Sequence, residues 1–285
     1  MPLAAPTWMR SLLPRRFRKT APRVAVVRLS GAIGAVSPIR PGLSIATVAP
    51  SLERAFTVPD VAAVALIINS PGGSPVQSHL IFRRIRALAA EKKVKVFAFV
   101  EDAAASGGYM IACAADEIVA DPASLVGSIG VVSAGFGFDR LIERIGIERR
   151  VHTQGEAKAM LDPFRPENPQ DIVRLKEIQA DVQALFTGLV RERRPTLAAD
   201  RDLFTGAVWT GRQALDLGLV DALGDLRGTL RERYGEDVEL RLIAETRGSW
   251  LARLLRRAGP GQTAELPDAL IAAVEERAAW ARFGL

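Results

Sequence analysis

The stretch Glu101–Asp116, EDAAASGGYMIACAAD, decides the fold. The preceding Val94–Val100, VKVFAFV, is β-branched and aromatic and predicts a buried strand. Tyr109–Ala115 behind it is small and apolar and predicts a buried helix. Ser106 therefore falls at a strand-to-helix junction, and Gly107 and Gly108 permit a tight turn with close backbone approach. A helix starting there points free N–H groups at whatever Ser106 touches, which suits a nucleophile. Taken alone, Ser106 is better explained as an N-cap, a position serine fills very often.

Outward from this junction the pattern is strand, helix, strand, helix. Residues 24–30 predict the first strand of the body, and 31–51, rich in Gly, Pro and Ser, a surface loop with a helix around 48–57. Val61–Ile68 is continuously apolar, as in a strand of a parallel sheet covered on both faces. It ends in Asn69-Ser-Pro-Gly-Gly73, and a helix follows over about 76–91. The class is α/β. Beyond the central stretch, strands are expected at 117–120, from the turn 127–130 onward, and at 147–153. Helices are expected at 138–145, 167–194, 209–217 and 224–234. Residues 249–257 and 266–283 carry amphipathic helical patterns, separated by Gly259-Pro-Gly261.

The 285 residues include 38 Lys and Arg against 32 Asp and Glu, a net charge of +6. Arg10, Arg15, Arg16, Arg18, Lys19 and Arg23 account for the excess, because residues 1–23 contain no acid. The body is balanced, which speaks against nucleic-acid binding despite a pI near 10.0. No apolar run follows the arginines and no 18-residue apolar stretch occurs, so neither a signal peptide nor a spanning helix is expected. The single cysteine, Cys113, excludes an internal disulfide and reads as a core residue.

Three features accompany Ser106. Gly72 and Gly73 lie at the carboxyl end of a neighbouring strand, where α/β sheets bind ligands, and can turn N–H groups toward an oxyanion. Such a pair is also an ordinary strand-exit turn. Lys158, among Ala157, Ala159, Met160 and Leu161, could act as a base if burial favoured its neutral amine. Ser128, in Gly127-Ser-Ile-Gly130, could orient that amine or be a turn serine. His79 and His152 are the only candidates for a serine–histidine pairing, and with one cysteine they offer no metal-ligand spacing.

The ensemble resembles the signal peptide peptidase A (protease IV) family, serine peptidases with a Ser–Lys dyad on a ClpP/crotonase-like fold. The motifs that carry this are Asn69–Gly73, Ala105–Tyr109, Ala115-Asp116, Gly127–Val131, Gly155–Lys158 with Pro163–Arg165, and Gly206–Gly211 with Gly218–Asp221. They span about 24–235, and the spacing of Ser106 and Lys158 suits single-copy members. The resemblance implies stacked ββα units between a basic tail (1–23) and a C-terminal strand and helical extension (236–285). It implies Ser106 as nucleophile, Lys158 as general base, and Ser128 holding the lysine. The oxyanion hole would come from Gly107 with Gly72 or Gly73. It further implies cleavage of extended, largely apolar peptides such as signal-peptide remnants, through an acyl-enzyme and without metal or cofactor. Short members form rings whose serine and lysine come from neighbouring subunits, so a homo-oligomer is expected. Many relatives begin with a membrane-spanning helix. Here the expectation is a cytoplasmic enzyme that docks peripherally on anionic membrane through 1–23 and 249–257. A crotonase-type acyl-CoA lyase or isomerase and an inactive scaffold are the rival readings.

Overall fold

The computed structural model describes residues 21–34, 42–244, 274 and 277–284. Its core is a sheet built on three long neighbours: β1 (Arg23–Ser30), β2 (Val61–Ser70) and β3 (Lys95–Ala105), all parallel. The apolar runs form strands because both faces are covered, so alternate residues can all be apolar. Ala25, Val27, Leu29, Leu66 and Val100 point into one cluster under the helices α1 (Ile45–Phe56), α2 (Pro75–Lys92), α3 (Gly107–Ala112) and α5 (Pro169–Arg193). Their sequence neighbours Val24, Val26, Ala65, Phe97 and Phe99 point the other way, where Leu230 of α7 (Leu226–Tyr234) and Tyr234 close the face.

The sheet forks at β3. Its first half, Phe97–Val100, pairs with β4 (Glu117–Ala120), and its last residues, Ala103–Ala105, pair with β5 (Leu125–Gly127). The Ser124 hydroxyl sits at the fork and donates within reach of the carbonyls of Val100 and Glu101. β6 (Val208–Thr210) adds antiparallel to β5, and β7 (Ala222–Leu223) adds parallel to β4. At the far edge β8 (Glu239–Leu242) pairs in parallel with β1.

Local sequence sets the boundaries. Ser74 caps α2 with Pro75 in its first turn, and Asn168 with Pro169 does the same for α5. At the C-terminal end of α5, the buried Arg194 forms two bonds of 2.7 and 2.9 Å to Asp221, whose carboxylate also accepts the Ile118 N–H. The Tyr109 hydroxyl, fully buried, donates to the Leu219 carbonyl at 2.7 Å. These bonds tie α3 and α5 to the chain entering β7.

Several boundaries differ from the sequence reading. Helix α1 starts at Ile45, inside the expected loop, because Ser44 and Thr47 form a reciprocal capping box. The strand β3 runs to Ala105, directly into Ser106. The strand expected from the turn 127–130 onward is absent; a short strand, β5, instead precedes the turn and ends at Gly127, where Ser128 turns the chain at φ 51°. Residues 208–210 are a strand, and the helix α6 (Gly211–Asp216) begins only after the capping Thr210. The alternating stretch 147–153 is not a strand in this single chain. The amphipathic stretch at 249–257 lies outside the described residues, as does most of 266–283, of which 277–281 are helical.

Replacing Tyr109 by Phe leaves the Leu219 carbonyl without its donor in a dry site. The expected loss is about 1–3 kcal/mol of unfolding free energy, read from urea denaturation; an unchanged midpoint would show that this bond does not hold α3 in place.

Candidate active site

The end of β3 delivers Ser106 in a conformation that few non-glycine residues adopt, φ 51° and ψ −119°. The strain is held by neighbours. The Ser106 N–H donates to the Gly127 carbonyl at 2.8 Å, and the Ser106 carbonyl accepts the first helical bond, from Met110. Ser106 occupies the N-cap position of α3, yet its hydroxyl makes no capping bond. The N-cap explanation of this serine is therefore set aside. The hydroxyl is half-exposed and has no hydrogen-bond partner among the described residues.

The glycine pair lies against it. A Cβ on Gly72 would stand 2.8 Å from the Ser106 Cβ and 3.1 Å from the Gly107 nitrogen, so only glycine permits the approach. Both glycines have positive φ, 101° and 140°. Their N–H groups differ in use. That of the buried Gly72 donates to the Ser70 hydroxyl at 3.2 Å, whereas that of the exposed Gly73 has no acceptor among the described residues. Gly107 packs so closely on Ser78 and Ile33 that a side chain would overlap the Ser78 hydroxyl. Its N–H, at the first turn of α3, is free of the helical ladder.

Ser128 is brought close by register. Ala105 pairs with Gly127, so the residues that follow both strands, Ser106 and Ser128, leave the sheet side by side. Both have φ 51°. Ser128 is buried, and its N–H donates to the Ala207 carbonyl at 2.7 Å.

Lys158 is not brought to this cluster within one chain. It sits on a 3₁₀ turn, Glu156–Ala159, in an arm over 131–168 that leaves the body after Gly130. The turn and the short helix α4 (Asp139–Arg144) contain no buried residue. The apolar neighbours of Lys158 therefore do not enclose it, contrary to the sequence reading. The arm instead orders itself. Arg149 Nε meets both carboxylate oxygens of Asp162 at 2.9 and 3.2 Å and places its guanidinium 5.0 Å from the Phe164 ring. Phe164 packs in turn at a tilt on Phe138, with ring centroids 5.7 Å apart, and the Phe138 N–H donates to the Pro163 carbonyl. Asp171, at the start of α5, accepts the Leu161 N–H at 3.0 Å. Sequence reasoning missed this clamp, although Arg149 and Asp162 flank the lysine turn.

The two histidines stay outside the cluster's hydrogen bonds. His79 stacks on Phe82 of the same helix, and burial, aided by Arg83, holds its pKa below the ordinary value. His152 is exposed on the arm. Cys113 is buried, which pushes its thiol up to about 12 and keeps it an inert core group. The open hollow at the end of α5, lined by Arg191, Arg194, Asp200 and Phe204 among others, contains none of the candidate residues.

A strained serine at a strand-to-helix elbow, uncapped and set against a glycine pair, is placed where a serine can serve as a nucleophile. The Peptidase family S49 model matches residues 88–240, more than half of the sequence. The chain belongs to peptidase family S49. It is similar, at 34% identity over 72% of its length, to the chloroplastic serine protease SPPA of Arabidopsis thaliana, of which it covers 31%. A probable protease SohB of Haemophilus influenzae is 31% identical over 68% of this chain and 55% of its own. A protein of Brucella abortus named Na(+)/H(+) antiporter NhaA is 54% identical over 99% of this chain. The chain spans only 40% of that protein's length. Among solved structures, a 1510-N membrane-bound stomatin-specific protease in complex with a substrate peptide aligns with TM-score 0.49 at 16% identity, over 83% of this chain and 97% of that one.

Arg149, and after it the Phe164 N–H, hold the Asp162 carboxyl below its ordinary pKa of 3.8. A depressed carboxylate pKa stabilises the clamp fully above the ordinary value and releases it as pH falls through the lowered one. Asp162→Asn keeps an acceptor for Phe164 but removes the charge. Amide exchange across 156–165 at pH 7 is expected to rise several-fold, with that of β3 unchanged. Equal exchange in both proteins would exclude the ion pair as what orders the lysine turn.

Proposed function

We propose that this chain is the catalytic unit of a serine endopeptidase working by a Ser–Lys dyad. The observation that carries the reading is the Ser106 elbow: a strained, uncapped serine in contact with Gly72 and beside the Gly107 N–H. Family membership supports the reaction class. The antiporter name is not carried over. Among the described residues no helix is long and apolar enough to cross a membrane, and the match covers 40% of that relative.

In the proposed reaction Ser106 Oγ attacks the scissile carbonyl carbon as its proton passes to a neutral Lys158 Nζ. The carbonyl oxygen becomes an oxyanion and takes hydrogen bonds from Gly73 and Gly107. Gly73 is preferred to Gly72 because the Gly72 N–H is already engaged by Ser70. The oxyanion collapses, the C–N bond breaks, and the departing amine takes the proton from Lys158. Water, deprotonated by the same lysine, then attacks the acyl carbon; the bond from that carbon to Ser106 Oγ breaks, Oγ takes the proton back from Lys158, and the peptide acid leaves. Ser128, leaving the sheet next to Ser106, is the group that would accept from the lysine amine and aim it.

A lysine acts as base only where burial favours its neutral form. Lys158 is exposed in a single chain, so the reading requires a second copy to cover it. The arm and the outer side of α5 carry the matching apolar surface, with Phe136 81%, Val132 69% and Val173 60% exposed. That is more apolar exposure than an arm surrounded by water explains, and a homo-oligomer with shared sites would bury it. Extended, largely apolar peptides are the proposed substrates. A cytoplasmic location with peripheral docking of the basic tail on anionic membrane completes the proposal, supported by the acid-free composition of 1–23.

Hydrolysis of a fluorogenic apolar peptide tests it. Ser106→Ala and Lys158→Ala are each expected to lower kcat at least about 1,000-fold, and His152→Ala to leave it within about twofold. Mixing the two inactive variants should restore up to about a quarter of the sites if serine and lysine come from different copies. Full activity of Lys158→Ala would remove the dyad, and no recovery on mixing would remove the shared site.

A further inference from the structure

We propose that Ser70 is a positioning residue for the oxyanion hole, its hydroxyl fixing the Pro71–Gly72 peptide so that the N–H of the following residue, Gly73, is presented to the substrate carbonyl. The inference rests on the peptidase reading above and adds a residue to it.

Ser70 is 1% exposed, at the last position of β2 and beyond the register shift that separates Ile68 from Ser70. Its hydroxyl is used in both senses. It donates to the Gly31 carbonyl at 2.7 Å and accepts the Gly72 N–H at 3.2 Å. The next peptide is held from its other side, because the Gly72 carbonyl accepts the Ile33 N–H at 2.8 Å. Ser74 closes the turn by donating to the Ile33 carbonyl, also at 2.8 Å. In a planar trans peptide the N–H points opposite to the C=O. With the Gly72 carbonyl fixed toward Ile33, the Gly73 N–H must point away from Ile33. It is the one N–H between Gly72 and Ser74 that these bonds leave unused.

Glycine supplies no side chain to hold such a turn, and φ of 101° and 140° gives it access to a wide conformational range. The rigidity has to come from outside. Ile33 fixes one end of the Gly72 residue, and the Ser70 hydroxyl fixes the other. Ser70 also packs on the helix that carries the other half of the hole. A Cβ on Gly108 would lie 2.8 Å from the Ser70 carbonyl oxygen and 3.1 Å from its Cβ. One buried serine thus sets β1, the glycine turn and the first turn of α3 relative to one another. An oxyanion donor works only when already aimed, and a misplacement near 1 Å costs about 100-fold in rate.

The test is Ser70→Ala together with the isosteric pair Ser70→Thr and Ser70→Val, assayed on the same peptide. In Ser70→Ala kcat is expected to fall about 10–100-fold, with KM within about twofold. Phosphonylation of Ser106 by a fluorophosphonate, which also develops negative oxygen, should slow in parallel. Threonine and valine have the same shape, so the kcat ratio between them isolates the hydroxyl whatever the added methyl costs. That ratio is expected to be about 10 or more. Uncleaved peptide should bind Ser106→Ala and Ser106→Ala/Ser70→Ala equally well, a result that mere loss of structure would not give. Equal kcat for Thr and Val, or a rise in KM at unchanged kcat, would overturn the role of Ser70 while leaving the dyad intact. A wild type that cleaves no peptide would instead overturn the underlying peptidase reading.

Discussion

One strand bears two demands. β3 must pair with β2 along its whole length and with two different strands on its other side, β4 early and β5 late. A flat strand cannot serve both, and the fork at Glu101 resolves the conflict with Ser124 bridging the gap. The Ala105–Gly127 register at the end of the fork fixes Ser106 through its N–H to Gly127. It sets Ser128 beside Ser106 and turns both residues to φ 51°. The strain at the elbow is therefore stored by ordinary sheet pairing on a fully buried frame, where relaxation would break several backbone bonds at once.

The second constraint is the accounting of N–H groups where β2 ends and α3 begins. Most donors in this dense region are committed: Gly31 to Asn69, Ile33 to Gly72, Gly72 to Ser70, and Ser74 to Ile33. The N–H groups of Gly73 and Gly107 are left without an acceptor among the described residues. A buried donor without an acceptor is costly, and natural folds rarely keep one without use. Gly73 escapes that cost by standing exposed, where water can accept its N–H. Close packing makes the arrangement specific, since a methyl group on Gly72, Gly107 or Gly108 would overlap its neighbours.

How far the sequence could be read follows from where each interaction closes. The strands β1 to β4, the helix α2 and the junction at Ser106 are legible because their signals are local: apolar runs, Pro after a capping Ser, paired glycines. The helix α1 was masked by the Gly- and Pro-rich composition before it, although Ser44 and Thr47 carry its capping signal. Trp209 reads as helical from its spacing, yet it lies in β6, because the antiparallel pairing with Val126 is non-local and leaves no mark on periodicity. That the Gly72 N–H is engaged and the Gly73 N–H is not depends on the Ser70 hydroxyl, a contact whose partners no spacing rule names.

The arm is the instructive failure. Residues 147–153 alternate as a half-buried strand should, and Lys158 sits among apolar residues as a buried lysine should, yet in one chain neither is buried. Periodicity reports that a face is to be covered; it does not report which chain covers it. Phe136 and Phe138 pose the same question, since their stacking on one another still leaves Phe136 81% exposed. The arm spends its polar contacts on itself, through Arg149 and Asp162, and on the start of α5, through Asp171, and leaves its apolar side chains outward. A segment that is internally ordered and outwardly apolar costs free energy in water and regains it on docking. The sheet holds Ser106 in place while Lys158 stands exposed on the arm, so the proposed dyad sets a condition on assembly: a second copy would have to cover the lysine.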